Sequence, residues 1–302
     1  MSDAVQIPLL RSQLYIPGTN PSMLQNAPWM GADAVILDLE DAVSEDQKDA
    51  ARDLVAETLK SVNFRNVKKI VRINGTDTPF FKDDLDAVIP QAPDAIRVPK
   101  IESPEELREI NEIIRKIEKA CGLEEGKIKI HAMLETAAAV LESSRIARAC
   151  SRLTAISLGG QDLAADMGIQ RTQTGEEMFV AKGLVVLAAR AARIMVFSTP
   201  YTNLNDSEGL LRESRMDMQL GFSGKAAIHP SQCRVIHQAF TPTIKEIRKA
   251  KEVAEAFYEA VRKGSGVIKV RGNMVDKPVV EQSFSILHRA KAAGINIEEV
   301  ER

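Results

Sequence analysis

The chain has 302 residues, 44% of them hydrophobic, and a formal net charge of -2. That length suits one large domain with an appendage, or two domains, and the apolar share is enough for a real core; a disordered or collagenous chain is excluded. The near-neutral balance argues against a general nucleic-acid binder, and no stretch approaches the ~20 apolar residues of a membrane span.

Short apolar stretches recur along the chain and end in polar or charged residues. The first expected strand runs from Ser12 to Ile16, followed by a turn at Pro17-Gly18-Thr19-Asn20-Pro21 and a short helix. The second is Ala34 to Leu39, a continuous apolar run of the kind covered on both faces. Ser44 and Gln47 predict a capping box for a helix through Leu59. Strands three and four are expected at Lys69–Ile73 and Asp94–Val98. Ser103, Pro104 and Glu106 then announce a helix to about Cys121. Strand five spans Lys127–Leu134 and strand six Leu153–Leu158, with a helix between them. A longer polar stretch is expected from Gly160 to Glu176, then a helix to about Arg193. Met195–Ser198 and Lys225–Ile228 are strands seven and eight. This alternation predicts an α/β fold, a (β/α)8 TIM barrel closing by about residue 240, with its working groups on one rim. Residues 241–302 form a C-terminal extension. In it Thr243 and Glu246 cap a charged helix through Lys263, a glycine-rich strand or loop follows, and a last helix runs from about Val279 to Gly294.

The chemical residues collect where the expected strands end. Glu135 follows strand five and Asp162 follows strand six. Adjacent barrel strands lie ~4.8 Å apart, so two carboxylates there can share one ion. Hard oxygen ligands suit Mg2+ better than Zn2+, and no His or Cys cluster has zinc spacing. Either acid also fits a plain helix cap or an arginine partner. Asp38, Glu40 and Asp41 crowd the end of strand two and repel one another unless a cation sits among them. Glu40 and Asp41 are catalytic candidates, one acid here to orient metal-bound water and another to hold Arg72, with a solvated acidic loop as the alternative. Arg72 ends strand three; its guanidinium can grip a carboxylate or steady an enolate oxygen, and a structural salt bridge is the alternative. Asn74 is a candidate for positioning the loop. Lys100 is a rim cation or a solvated one. Arg97 sits within its strand and suits a barrel layer or an acid partner there. Gly159-Gly160 permits close backbone approach. Arg11 and Lys225 are candidates for holding an anionic substrate tail. His131 reads as a core histidine, and His229 as a loop anchor or a donor to an acyl group. Asp276, in GNMVDKP, is a turn residue unless its segment reaches an active rim. Cys121, Cys150 and Cys233 make neither a disulfide framework nor a metal knuckle. The N-terminus lacks a long apolar signal segment, so the cytoplasm is the expected compartment.

Taken in order, LYIPGTNPSML, VILDLEDAV, VRIN, LETAAAV, LGGQDLAADMG, KAAIHPSQ and GNMVDKPVV resemble the CitE-like branch of the HpcH/HpaI aldolase superfamily over nearly the full length. That branch includes citrate lyase beta subunits and malyl-CoA and citramalyl-CoA lyases. The resemblance implies a TIM barrel, commonly a homotrimer or a dimer of trimers, with Mg2+ on Glu135 and Asp162. It implies Arg72 on the substrate's oxoacid or acyl oxygens, and Asp276 as an acid/base, frequently donated to a neighbouring subunit. It implies a 3-hydroxyacyl thioester of coenzyme A, or of an acyl carrier protein, with Arg11 as the match for a CoA contact. One departure stands out: citrate lyase beta subunits often read G-A-E-D where this chain has Gly159-Gly160-Gln161-Asp162. The expected activity is a carbon-carbon lyase reaction on citramalyl-, malyl- or citryl-thioester. The alternatives are a malyl-CoA thioesterase or malate-synthase-like enzyme, and a non-catalytic thioester-binding subunit.

Overall fold

The computed structural model describes residues 9–262, 268–270 and 273–300. Eight parallel strands close into a barrel in chain order. The chain runs β1 (Ser12–Pro17), α1 (Pro21–Asn26), β2 (Ala34–Asp38), α2 (Lys48–Ser61), β3 (Lys68–Arg72), α3 (Phe81–Val88), β4 (Ala95–Val98) and α4 (Pro104–Ala120). It continues through β5 (Lys129–Leu134), α5 (Ala137–Ile146), β6 (Leu153–Leu158), α6 (Gly160–Asp166), α7 (Phe179–Ala192), β7 (Met195–Ser198), α8 (Ser207–Leu220), β8 (Gly224–Ala227) and α9 (Pro230–Phe240). No helix among the described residues is long and apolar enough to cross a membrane.

The strands form where continuous apolar runs can be buried on both faces. Every residue of β2 is buried, and so is every residue of β4, β7 and β8. Helix starts follow local capping chemistry. The Asn20 side chain accepts from Met23 N, Ser103 from Glu106 N, Thr136 from Ala139 N and Asp206 from Gly209 N. Each cap satisfies a backbone donor that the first helical turn leaves unpaired.

Two local expectations are corrected. Ser44 does not cap α2: its hydroxyl donates to Asp46 at 2.6 Å, and a short 3-10 turn at Glu45–Gln47 precedes the helix. The stretch after Gly160 begins with α6 instead of irregular chain. Helices α3 and α8 supply the crossovers that the alternation requires.

Two basic residues expected as ligand contacts are engaged in ion pairs. Arg11 lies just before β1 and Asp33 just before β2, at the barrel's N-terminal end. The Arg11 guanidinium donates to both Asp33 oxygens at 2.9 Å, and the Arg11 backbone N donates at 2.7 Å. It therefore stands at the end opposite the rim that carries barrel active sites. Lys225, second in β8, is fully buried. Its Nζ lies 2.6 Å from Glu213 and 2.8 Å from Asp217 of α8, and Lys182 of α7 reaches Asp217 at 2.8 Å. An anionic tail would have to displace two acids from a site closed to solvent.

Contact clustering separates Leu10–Gln238 from a second compact unit that includes Ala239 onward. The second unit holds α10 (Ile244–Arg262), the antiparallel pair β9 (Ile268–Val270) and β10 (Asn273–Val275), and α11 (Lys277–Ala292). Thr243 and Glu246 make the expected reciprocal cap: Thr243 N donates to Glu246 Oε2 at 2.7 Å, and Glu246 N to Thr243 Oγ1 at 3.3 Å. Ile247, Ala290 and Val300 form its buried centre, packed by Ile286, Leu287, Ile295 and Ile297. Residues 264–267 and 271–272 of the glycine-rich segment lie outside the described residues, as does the N-terminal segment before Leu9.

The cluster between barrel and helices sets a stability prediction. Burial pushes the Asp217 pKa up, but Lys225 and Lys182 outweigh it and hold it below the ordinary value. Burial pushes Lys225 down, but Asp217 and Glu213 outweigh it and raise it. The Asp217 contribution is thus complete above about pH 4 and lost as acid passes its depressed pKa; the Lys225 contribution persists through neutral pH and is lost only in strong base. Lys225→Met strands two buried acids on one remaining lysine and should cost about 3–5 kcal/mol. Urea unfolding followed by circular dichroism at neutral pH checks this, and a change close to zero would contradict it.

Candidate active site

The C-terminal ends of β2 and β3 meet in a charge cluster. Their register pairs Asp38 with Arg72. Arg72 donates Nε to Asp38 Oδ1 at 2.7 Å and Nη2 to Asp38 Oδ2 at 2.6 Å, a two-pronged grip on a carboxylate that is only 1% exposed. Its Nη1 lies 2.6 Å from Glu40 Oε2 and 3.0 Å from Asp41 Oδ2. The guanidinium face rests on the Tyr15 ring, 4.8 Å from the ring centre. Parallel planar grips and stacking are what arginine supplies and lysine cannot. The arginine pKa is driven well above normal: burial opposes this, but the Asp38 bonds and the charges around it prevail.

Backbone donors hold the same loop. Asp38 Oδ1 accepts from Glu40 N at 3.0 Å, and Asp38 Oδ2 from Ala42 N at 3.3 Å. Lys48, buried at the start of α2, donates Nζ to the carbonyls of Leu39 and Glu40 at 2.8 Å each. Nothing in the apolar pattern marks this lysine; its role depends on the β2–α2 loop folding back over it. Gly18 is required because a Cβ there would sit 2.6 Å from the Asp38 carbonyl oxygen. Asn74, after β3, donates to Asp84 at 2.6 Å and so positions its loop as expected.

Glu135, directly after β5, is 3% exposed. Its Oε2 accepts the Lys100 backbone N at 3.0 Å. The useful part of Lys100 is thus its amide, presented from a left-handed conformation with φ of 53°; its ammonium is exposed. Glu135 also explains Gly159: a Cβ there would lie 2.5 Å from the glutamate's Cγ and Oε1. Asp162 stands exposed in the first turn of α6. Burial and then the Asp162 charge raise the Glu135 pKa to about 7, against the Lys100 amide and Arg72. Burial likewise raises Glu40 to about 8; Arg72 pulls it down, while Asp41, Glu135 and Asp38 push it up. Glu40, Asp41, Arg72, Glu135 and Asp162 therefore share one electrostatic neighbourhood.

The structure also places the remaining candidates. His131 lies in the barrel interior, its ring stacked on Phe197 at 6.0 Å, with its pKa driven well below normal by burial and by Arg97. His229 is exposed and bonds Ser231 through Nδ1 at 2.8 Å, a loop anchor. Asp276 is exposed at the start of α11, where its side chain makes no capping bond. It belongs to the C-terminal unit. No group of three or more His, Cys, Asp and Glu poised for a metal occurs among the described residues.

The HpcH/HpaI aldolase/citrate lyase family profile matches residues 11–230. The chain belongs to this family and is an enzyme. It is 42% identical over 284 residues to the citrate lyase subunit beta of Leuconostoc mesenteroides subsp. cremoris, covering 94% of each chain. It is 36% identical over 282 residues to a (3S)-malyl-CoA thioesterase of Cereibacter sphaeroides, covering 93% of this chain and 95% of that one. Among solved structures, protein CitE from Mycobacterium tuberculosis in complex with magnesium, acetoacetate and coenzyme A superposes with a TM-score of 0.75 at 28% identity, over 94% of this chain and 98% of that one.

Because Arg72 lowers the Glu40 pKa while burial raises it, Arg72→Gln should move that pKa further up. Carbon-13 carboxyl titration by NMR should place the wild-type midpoint near 8 and the variant's higher. Glu40 remains protonated above the pH at which an unfolded glutamate ionises, so its contribution destabilises the fold as pH rises from about 4 toward 8. A wild-type midpoint in the ordinary glutamate range would contradict the burial argument.

Proposed function

We propose that this enzyme cleaves a carbon-carbon bond in a 3-hydroxyacyl thioester of coenzyme A, giving an acyl-CoA and a 2-oxoacid. The observation that carries this reading is that Glu135 lies within electrostatic reach of Asp162 and of the Arg72 cluster at one barrel rim. The family membership, and relatives named for citrate lyase and for a malyl-CoA reaction, support the substrate class. Citramalyl-, malyl- and citryl-thioesters are the substrates to test. Free, unbridged cysteines suit a cytoplasmic setting.

The donor set fits Mg2+. Both ligands are hard carboxylates, and the Glu135 pKa of about 7 reflects burial and a like charge that a cation would offset. Glu135 and Asp162 would hold the ion. When bound, it supplies charge stabilisation for the oxygens of the oxoacid portion.

The protein groups do the rest. Arg72 is already committed to three acids. Asp38 and Glu40 are buried, whereas the Asp41 side chain is 65% exposed. An oxoacid oxygen would therefore replace Asp41 on Nη1, leaving the grip on Asp38 intact. Asp276, its carboxyl unused in capping, takes the hydroxyl proton as the carbon-carbon bond breaks, and returns a proton to the acyl enolate. It acts from the C-terminal segment, on a neighbouring subunit of a homotrimer or dimer of trimers. Glu40, held protonated near neutral pH, keeps a further proton beside Arg72.

A second reading has a specific basis: the relative named as a thioesterase is of nearly the same length and similarity. In that case the products would be free CoA and intact hydroxyacid. Mass spectrometry of products from malyl-, citramalyl- and citryl-CoA with Mg2+ separates the two; acyl-CoA plus oxoacid is expected, and free CoA with intact hydroxyacid would overturn the lyase reading.

Asp276→Asn should nearly abolish turnover while Mg2+ affinity is kept. Near-normal steady-state cleavage would reject its assignment. Glu135→Gln should weaken Mg2+ binding by roughly ten- to a hundredfold, as even outer-shell losses do. Calorimetric titration reads this directly, and an unchanged dissociation constant would reject the ligand role.

A further inference from the structure

The barrel interior contains a second arginine whose charge no acid among the described residues matches. Arg97 of β4 is 1% exposed. Among the described residues its hydrogen bonds run only to neutral groups: Nη1 donates to the Tyr15 hydroxyl at 3.2 Å, and Nη2 to Gln13 Oε1. Its Nε has no protein partner, and neither do Gln13 Nε2 and His131 Nδ1 nearby. A buried guanidinium without a counter-charge is costly, and each buried donor left unpaired adds to that cost.

Arg72 offers the contrast. Register pairs Arg72 with Arg97 and Arg97 with His131, so two cations and an imidazole stand in one row across β3, β4 and β5. One arginine is gripped by three acids; the other meets none among the described residues. Both approach the same Tyr15 ring, at 4.8 Å and 5.9 Å. Arg97 reaches β1, which is not a neighbour of β4 in the barrel order, so the contact crosses the barrel interior. Arg97 is one residue short of the end of β4, and Tyr15, only partly buried, is the most accessible member of the group.

We infer that Arg97, with Gln13 and Tyr15, forms a carboxylate pocket inside the barrel mouth that receives the free carboxylate of the substrate's oxoacid portion. The inference rests on the lyase reading for the identity of that carboxylate, though not for the presence of the pocket. The anion supplies the missing counter-charge, and the unpaired Nε–H and the Gln13 amide supply donors of the right polarity. Arg72 then keeps its grip on Asp38 and acts on the reacting oxygens, while Arg97 fixes the substrate's far end.

The test uses the whole protein, first without divalent cation. In EDTA, pyruvate and glyoxylate should raise the melting temperature, and methyl pyruvate, which lacks the charge, should not. Arg97→Met should lose that shift and Arg97→Lys should retain part of it, with folding checked by circular dichroism. With Mg2+ and the best thioester, Arg97→Met should lower kcat/KM at least thirtyfold, mostly through KM, as loss of uniform binding requires. Should Arg97→Met fail to fold, Tyr15→Phe, which removes only the hydroxyl that Arg97 contacts, should still raise KM several-fold. Equal shifts from the acid and its methyl ester, or a folded Arg97→Met with unchanged KM, would overturn the pocket. So would an Arg97-dependent shift with chloride accompanied by a thioester KM that does not respond to Arg97, since the site would then hold a free anion only. If the wild type cleaves no thioester yet binds pyruvate through Arg97, the lyase reading falls and the pocket stands; turnover with KM indifferent to Arg97 does the reverse.

Discussion

Negative charge gathered at one end of the barrel is the constraint on which the site depends. Asp38, Glu40, Asp41, Glu135 and Asp162 crowd a rim of mostly buried backbone. Carboxylates this close stay ionised only beside cations. Arg72 answers for Asp38 by an edge-on grip and for Asp41 through Nη1, with its face on Tyr15, while Glu40 beside it is raised to about 8. Glu135 receives a backbone amide from Lys100 and feels the more distant Arg72 charge, but burial and the Asp162 charge outweigh both and raise its pKa to about 7. The barrel thus presents an arginine-balanced half and a half that a hard cation would complete.

Packing makes this arrangement rigid. Glycine at 18 lets the β1 loop close on the Asp38 carbonyl, and glycine at 159 leaves room for the Glu135 side chain. Lys48 ties the β2 loop to α2 through two carbonyls. Elsewhere the same economy of charge is purely structural: Lys182 and Lys225 against Glu213 and Asp217, or Arg152 gripping Glu118 at 2.8 Å. Chemistry and scaffold use the same residue types, and position alone separates them.

That is why the sequence showed some features and concealed others. Eight buried strands read clearly because apolar runs between turns have few other interpretations, and the strand-end acids followed from those boundaries. The ion pairs of Arg11 and Lys225 were hidden because a lone basic residue carries no sign of which barrel end it occupies, or whether an acid on a later helix will bury it. Ser44 looked like a cap until Asp46 claimed its hydroxyl. Lys100 showed its charge and concealed its backbone. Arg97 was placed in its strand, but the absence of an acid partner could only emerge once Gln13 and Tyr15 came across the barrel to meet it.

The central claim is that Glu135 and Asp162 close on a single ion. Crystals grown with Mn2+ in place of Mg2+ and measured for anomalous scattering test it most directly. The account predicts one strong peak bonded to a carboxylate oxygen from each residue; a peak touching only one of them, or none at that rim, would contradict it.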